Sequence, residues 1–334
     1  MRAPFALQRR YIGLAAIIAL NAGLLGACSS SANTLPLTAV APDFNGRLAW
    51  QYTRKAVSFG PRPPGSQAHA RLLEWLKNEL DGIDWETQRF TATTPGGAIP
   101  MTNLIARFPG TERGVIVIGG HYDTLSNRPD FVGANDGGSS TGMLLALAKH
   151  FAAHPPEGPS VWLVWFDGEE AMRKWVGNDH TYGSRALVRQ WQTDGTLARI
   201  RAVLVLDMIG DRHLNVAYSS TSTPWLMALV CRQARRIGAG ATFCNYTKAI
   251  EDDDAPFRAA GVPAAVLIDF RYGLLNEYWH TSEDTMNKLS PESFRVVGAV
   301  VLATLHVLAG IPPESRDEAP ETQEGHVPER SDRT

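Results

Sequence analysis

The sequence predicts an α/β fold: a parallel or mixed central sheet with helices packed on its faces. Three observations carry that prediction. Short apolar runs rich in β-branched residues recur at residues 114–119, 161–166, 202–206 and 262–268. Such uninterrupted runs mark strands buried on both faces. Stretches with helical periodicity or uniform apolarity lie at 141–151, 224–237 and 291–308. Finally, three of the strand runs end in a carboxylate or an imidazole: His121, the Glu169–Glu170 pair and Asp207. In open α/β sheets the site forms at the carboxyl ends of the strands.

With 334 residues the chain suffices for one large domain or two small ones. A net charge of -2 at 44% hydrophobic and 20% charged residues gives no sign of a nucleic-acid partner or of a disordered chain. The N-terminus has the form of a targeting segment. Arg2, Arg9 and Arg10 precede an apolar stretch over 12–25, too short to span a bilayer comfortably. It ends in Leu25-Gly26-Ala27-Cys28, which resembles a bacterial lipobox whose Cys is lipidated; an ordinary secretory signal is the alternative. The expected organisation is a lipoprotein signal peptide over 1–27, a flexible tether over 28–42, a catalytic domain over 43–311 and a disordered tail over 312–334. The protein would then sit in the cell envelope, held to the membrane through Cys28 and facing the periplasm. Cys231 and Cys244 are left as a pair, and in an oxidising compartment a disulfide is allowed.

Asp43 is positioned to cap a helix reaching about residue 58, and Ser66 a second helix with Leu72, Leu73, Leu76 and Leu80 on one face. A rigid Gly-Pro-Arg-Pro-Pro-Gly loop over 60–65 separates them. Strands are expected at 84–91, 102–108 and 114–119. Asp136 lies in a glycine-rich turn over 133–139, where an Asp commonly makes local backbone bonds.

The stretch over 161–185, VWLVWFDGEEAMRKWVGNDHTYGSR, organises the rest. Adjacent carboxylates raise each other's pKa unless a cation neutralises them. Glu169 and Glu170 are thus either a solvated turn or a working pair, one binding a metal and the other moving protons beside it. The run Glu251-Asp252-Asp253-Asp254 has the same ambiguity between a solvated face and a site. His121, Asp136, Glu170, Asp207 and His280 offer oxygen and imidazole donors without thiolate, a set suited to a catalytic zinc with an open position. No G-x-S-x-G elbow and no Walker loop occurs.

These residues resemble the M28 zinc peptidase clan, and within it the animal-type glutaminyl cyclases. The resemblance covers about residues 44–308. It rests on FDGEEA at 166–171, Trp175 five residues after Glu170, YGSR at 182–185, LDMIG at 206–210, the acidic run before Pro256-Phe257, Gly261-Val262-Pro263 and Trp279-His280-Thr281. It implies a single domain with a mixed, mostly parallel sheet flanked by helices, as in zinc aminopeptidases, and cyclisation of N-terminal glutamine in peptides or proteins. It further implies one zinc per chain on Asp136, Glu170 and His280, and Glu169 as proton shuttle with Asp207 and Asp252 around it. Trp175 and Trp279 would wall the substrate pocket. A monomer is expected. The chain departs from the animal pattern at Leu125, Glu251 and Asp254, where Lys, Gln and His are usual, and lacks the cysteines near the first acidic ligand. A two-zinc aminopeptidase, with His121 and Asp207 on the second ion, and a catalytically silent binding module are the competing readings.

Overall fold

The computed structural model describes residues 41–311. The expected signal peptide, Cys28, the expected tether up to residue 40 and the expected tail over 312–334 lie outside the described residues.

Helix α1 (Gly46–Val57) is capped by the side chain of Asn45, which accepts from the Leu48 amide; the expected cap, Asp43, lies two residues too early and is exposed. An Asx side chain reaches the free amides of the first turn only from the residue at the helix boundary. Ser66 does cap α2 (Gln67–Glu79), accepting from the His69 amide, and Leu72, Leu73 and Leu76 are buried on its inner face. Strands β1 (Asp84–Thr94) and β2 (Gly97–Phe108) form a hairpin longer than the sequence suggested. Then follow β3 (Glu112–His121), α3 (Gly138–Ala153), β4 (Pro159–Phe166), α4 (Tyr182–Thr193), β5 (Ile200–Asp207), β6 (Val216–Ser219) and α5 (Pro224–Arg236). The chain continues through β7 (Phe243–Lys248), α6 (Asp254–Ala259) and β8 (Ala264–Ile268) to α7 (Pro291–Ala309).

Six strands make one sheet in the order β1-β2-β4-β3-β5-β8. The pairs β3–β4, β3–β5 and β5–β8 are parallel, while β1 and β2 add antiparallel strands at one edge. Every residue of β5 and β8 is buried, as their unbroken apolar runs require. Helix α3 fills one face so completely that it is buried nearly all round. Helix α7 is long and apolar enough to cross a membrane, yet it is mostly buried against α1 and α5, as a core helix is. A second, two-stranded sheet pairs β6 with β7. The Cys231–Cys244 disulfide, Cα–Cα 5.9 Å, ties β7 to α5.

The sheet sets the level of the strand ends. His121 at the end of β3 is in register with Phe166 at the end of β4, and Gly119 with Val205 near the end of β5. The glycines before His121 are required by close approach. A Cβ at Gly119 would lie 2.3 Å from the Phe166 ring, and one at Gly120 2.5 Å from the Leu206 carbonyl oxygen. Three functional strand ends are thereby held side by side.

Candidate active site

The parallel strands β3, β4 and β5 deliver His121, the Glu169–Glu170 pair and Asp207 to one end of the sheet. Two loops complete the cluster: the glycine-rich turn before α3 brings Asp136, and the segment after β8 brings His280. His280 Nε2 lies 3.2 Å from Asp136 Oδ2 and 3.4 Å from Glu170 Oε2. His121 Nε2 lies 3.2 Å from both Asp136 Oδ1 and Asp207 Oδ1. The donor atoms of Asp136, Glu170 and His280 all lie within 4.8 Å of one another, and so do those of His121, Asp136 and Asp207.

The chemistry of the first trio fits zinc. Both carboxylate oxygens of Glu170 are buried with no hydrogen-bond donor, a costly state for an acid held inside a protein. Donor separations near 3.2–3.4 Å suit an ion bonded to each at roughly 2.0–2.2 Å. His280 adopts a left-handed backbone with φ 58°, and Met208, directly after Asp207, has φ 47°. Such conformations cost on the order of 1–3 kcal/mol and persist where the surroundings over-determine them.

Electrostatics follow from burial. Desolvation pushes the Glu170 carboxyl well above its ordinary pKa, and Asp136 adds to the push. Glu169 is likewise raised well above, by burial and then by Asp252 and Glu170, against the opposing pull of His121. Burial works against the Asp136 carboxylate too, but hydrogen bonds from His121 and His280 outweigh it and hold that group low. Burial opposes protonation of His121, yet Asp123, Asp136 and Asp207 around it win and raise its pKa well above the usual imidazole value.

Several supporting residues were not among the site residues the sequence predicted. Asp123 accepts from the amides of Glu169, at 3.1 Å, and Glu170, at 3.3 Å, which fixes the turn carrying both acids. Asp284 does the same for Asn135 and Asp136, at 2.8 and 3.1 Å, and accepts from the Tyr272 hydroxyl at 2.7 Å. Arg62, fully buried, donates to the carbonyls of Gly60, Val132 and Gly133 and so anchors the loop leading to Asp136. Burial pulls its pKa down to about 10, while Asp284, Asp123 and Asp136 push it back up. An arginine fixed between prolines was the available hint.

The acidic run is not a solvated face: Asp252, Asp253 and Asp254 are buried, and only Glu251 is exposed. Asp253 accepts from Ser184 Oγ at 2.5 Å, and Asp254 pairs with Arg258 at 2.9 Å. Burial raises these two acids to about 7 and about 6, respectively.

A cavity of about 500 Å³ opens over the cluster and is lined by Asp136, Glu169, Glu170, Asp207, Asp252 and His280 at depth, with Trp175 and Trp279 among its walls. Trp279 stacks on His280 at 4.0 Å between ring centroids and stands 4.9 Å from Phe270. Trp175 stacks on His180 at 4.1 Å and is 36% exposed, so it serves the cavity wall more than the core.

Comparison with known proteins agrees with this arrangement. Residues 103–305 match the model of peptidase family M28. The chain is 29% identical over 254 residues to the glutaminyl-peptide cyclotransferase of Drosophila melanogaster, covering 67% of this chain and 70% of that one. Among solved structures, a glutaminyl cyclase from an Acidobacteriales bacterium shares 40% identity at a TM-score of 0.79, covering 84% of this chain and 99% of that chain. The Porphyromonas gingivalis glutaminyl cyclase shares 28% identity at a TM-score of 0.71, covering 79% and 98%.

The Asp123 contacts carry a prediction. Asp123→Asn replaces an acceptor of two amide hydrogen bonds with a group that can serve only one of them well. Zinc affinity, measured by competition with a chelator, should fall about 10–100-fold while the circular dichroism spectrum stays native. Unchanged affinity would show that the turn holds its shape without Asp123.

Proposed function

The chain belongs to peptidase family M28, and from that premise we propose that it is a zinc-dependent glutaminyl-peptide cyclotransferase. It converts N-terminal glutamine of peptides or proteins to pyroglutamate with loss of ammonia. The observation that carries this reading is the pairing of Glu169 with two tryptophan walls over the Asp136–Glu170–His280 trio in one cavity.

Bound zinc supplies Lewis-acid polarisation of the substrate's γ-carbonyl. The protein's own groups do the rest. Trp175 and Trp279 pack the glutamine stem so that the α-nitrogen faces the γ-carbon, which supplies the proximity ring closure needs. An α-amine titrates near 7.7–8.0, so its neutral, nucleophilic form is available near neutral pH and only one proton has to be moved. Glu169 accepts a proton from the attacking α-nitrogen as the new C–N bond forms. It returns the proton to the amide nitrogen as that C–N bond breaks, so ammonia leaves and Glu169 is regenerated. A buried carboxyl whose pKa is pushed upward is suited to both halves of that task. Asp252, whose charge raises Glu169, and Asp207, paired with His121, complete the acid–base surroundings.

One zinc per chain is part of the proposal, with His121 and Asp207 left to hydrogen bonding. The His121–Asp136–Asp207 cluster could also take a second ion, and that favours the two-zinc aminopeptidase as the competing reading. Chemistry argues for one. A hydrolase needs a metal-activated water as nucleophile, whereas a cyclase carries its nucleophile in the substrate. The protein acts as a monomer anchored through lipidated Cys28 on the periplasmic side of the envelope. The basic and apolar leader and Leu25-Gly26-Ala27-Cys28 support that placement, and a disulfide between Cys231 and Cys244 suits an oxidising compartment.

Four outcomes test these readings. Purified protein should close the ring on Gln-β-naphthylamide and leave Leu-p-nitroanilide intact, and Glu169→Gln should lower kcat by about 10²-fold or more with zinc retained. Residual activity above about a tenth of wild type would remove Glu169 from its role. Metal analysis of protein purified without added zinc should find one equivalent per chain; two equivalents with leucine release would make it an aminopeptidase. Cys28→Ala should move the protein from the membrane to the soluble fraction or block its maturation, and unchanged fractionation would sink the anchor.

A further inference from the structure

The active-site cavity reverses its charge between floor and rim. Its floor is built from buried carboxylates. Its exposed rim carries Arg128, Arg173, Lys174 and Lys248, against a single exposed acid, Glu251. Among the described residues, no carboxylate is paired with Arg173, Lys174 or Lys248. Arg128 stands 3.8 Å from Asp130, and the Lys248 ammonium lies 4.1 Å over the Phe270 ring.

The rim is also built rather than loose. Asp179 accepts from the amides of Met172, Arg173 and Lys174 at 3.1, 3.0 and 3.0 Å and from the Tyr182 hydroxyl at 2.7 Å. These bonds pin the backbone that presents Arg173 and Lys174 beside Trp175. Lys248 arrives from another direction, at the end of β7.

We propose that this rim is a subsite for the residues that follow the N-terminal glutamine, and that it selects peptides acidic at the second to fourth positions. The inference rests on the cyclase reading for its orientation: the α-amine and glutamine stem occupy the floor, so the chain beyond them must leave across the rim. There the side chains of an acidic peptide meet Arg173, Lys174 and Lys248, which among the described residues are paired with no carboxylate. A basic peptide meets like charge, which costs encounter rate and register. The negative floor does not cancel this preference, because it faces the substrate's α-amine and the zinc, not the departing chain.

The test is a competition between two short N-terminal glutamine peptides of equal length, one with Glu and one with Lys at the second to fourth positions, followed by mass spectrometry. At low ionic strength the kcat/KM ratio, acidic over basic, should exceed roughly fivefold, because exposed charge pairs of this kind contribute modestly and several act together. It should shrink toward unity in about 0.5 M salt, where screening acts over a few ångströms. Arg173→Glu with Lys174→Glu should lower the ratio about tenfold, and Lys248→Glu, on a separate element, should lower it independently. A wild-type ratio near one, or a ratio that neither variant moves, overturns the subsite. The product mass tests the underlying reading separately: loss of ammonia marks a cyclase and free glutamine a peptidase, while the acidic-to-basic ratio reports on the rim in either case.

Discussion

The structure depends on one constraint: many carboxylates are held out of water at one end of a sheet. Asp123, Asp136, Glu169, Glu170, Asp207, Asp252 and Asp284 are all buried there. Moving an isolated carboxylate into such surroundings is prohibitive unless cations or donors compensate. Two kinds of compensation are built in. Asp123 and Asp284 spend their lone pairs on backbone amides. Arg62 and His121 supply positive charge from within the fold. The oxygens of Glu170 accept from no hydrogen-bond donor, and their desolvation is what a zinc ion would relieve.

That arrangement divides otherwise similar acids into distinct tasks. Asp136 is held ionised by two imidazoles and is ready to ligate. Glu169, its neighbour in the cavity, is pushed toward holding a proton and is suited to passing one. Asp123 and Asp284, through the backbone amides they accept from, set where Glu170 and Asp136 stand. Orientation of this kind determines affinity nearly as much as ligand identity does.

The sheet makes the division possible. Parallel strands end at one level, and glycine at 119 and 120 lets β3 approach β4 and β5 closely enough to align His121 with its partners. Helices α3 and α7 cover the apolar faces, so the loops at the strand ends are free to carry chemistry. The cavity over the acids is lined by buried carboxylates, by Trp175 and Trp279, and by the exposed cations Arg128, Arg173, Lys174 and Lys248.

Much of this was legible in residue order. Unbroken apolar runs identified β4, β5 and β8, because the middle of a strand buried on both faces is built mainly from apolar residues. Acids and imidazoles at strand ends identified the candidate ligands, because core strands do not end that way without a reason. Local signals fared less evenly: Ser66 capped its helix as expected, whereas Asn45 took the place expected for Asp43, since capping depends on the boundary backbone rather than on composition. What the linear chain could not state was partnership across it. Arg62 anchors a loop some seventy residues away, Asp284 fixes a turn nearly a hundred and fifty residues earlier, and the run Asp252 to Asp254 stayed ambiguous between a solvated face and a site until the fold packed it inside. Sequence determined which groups were available, because patterning and strand-end chemistry are local. Tertiary structure alone decided which carboxylates are neutralised, and by what, because desolvation and charge pairing act through space.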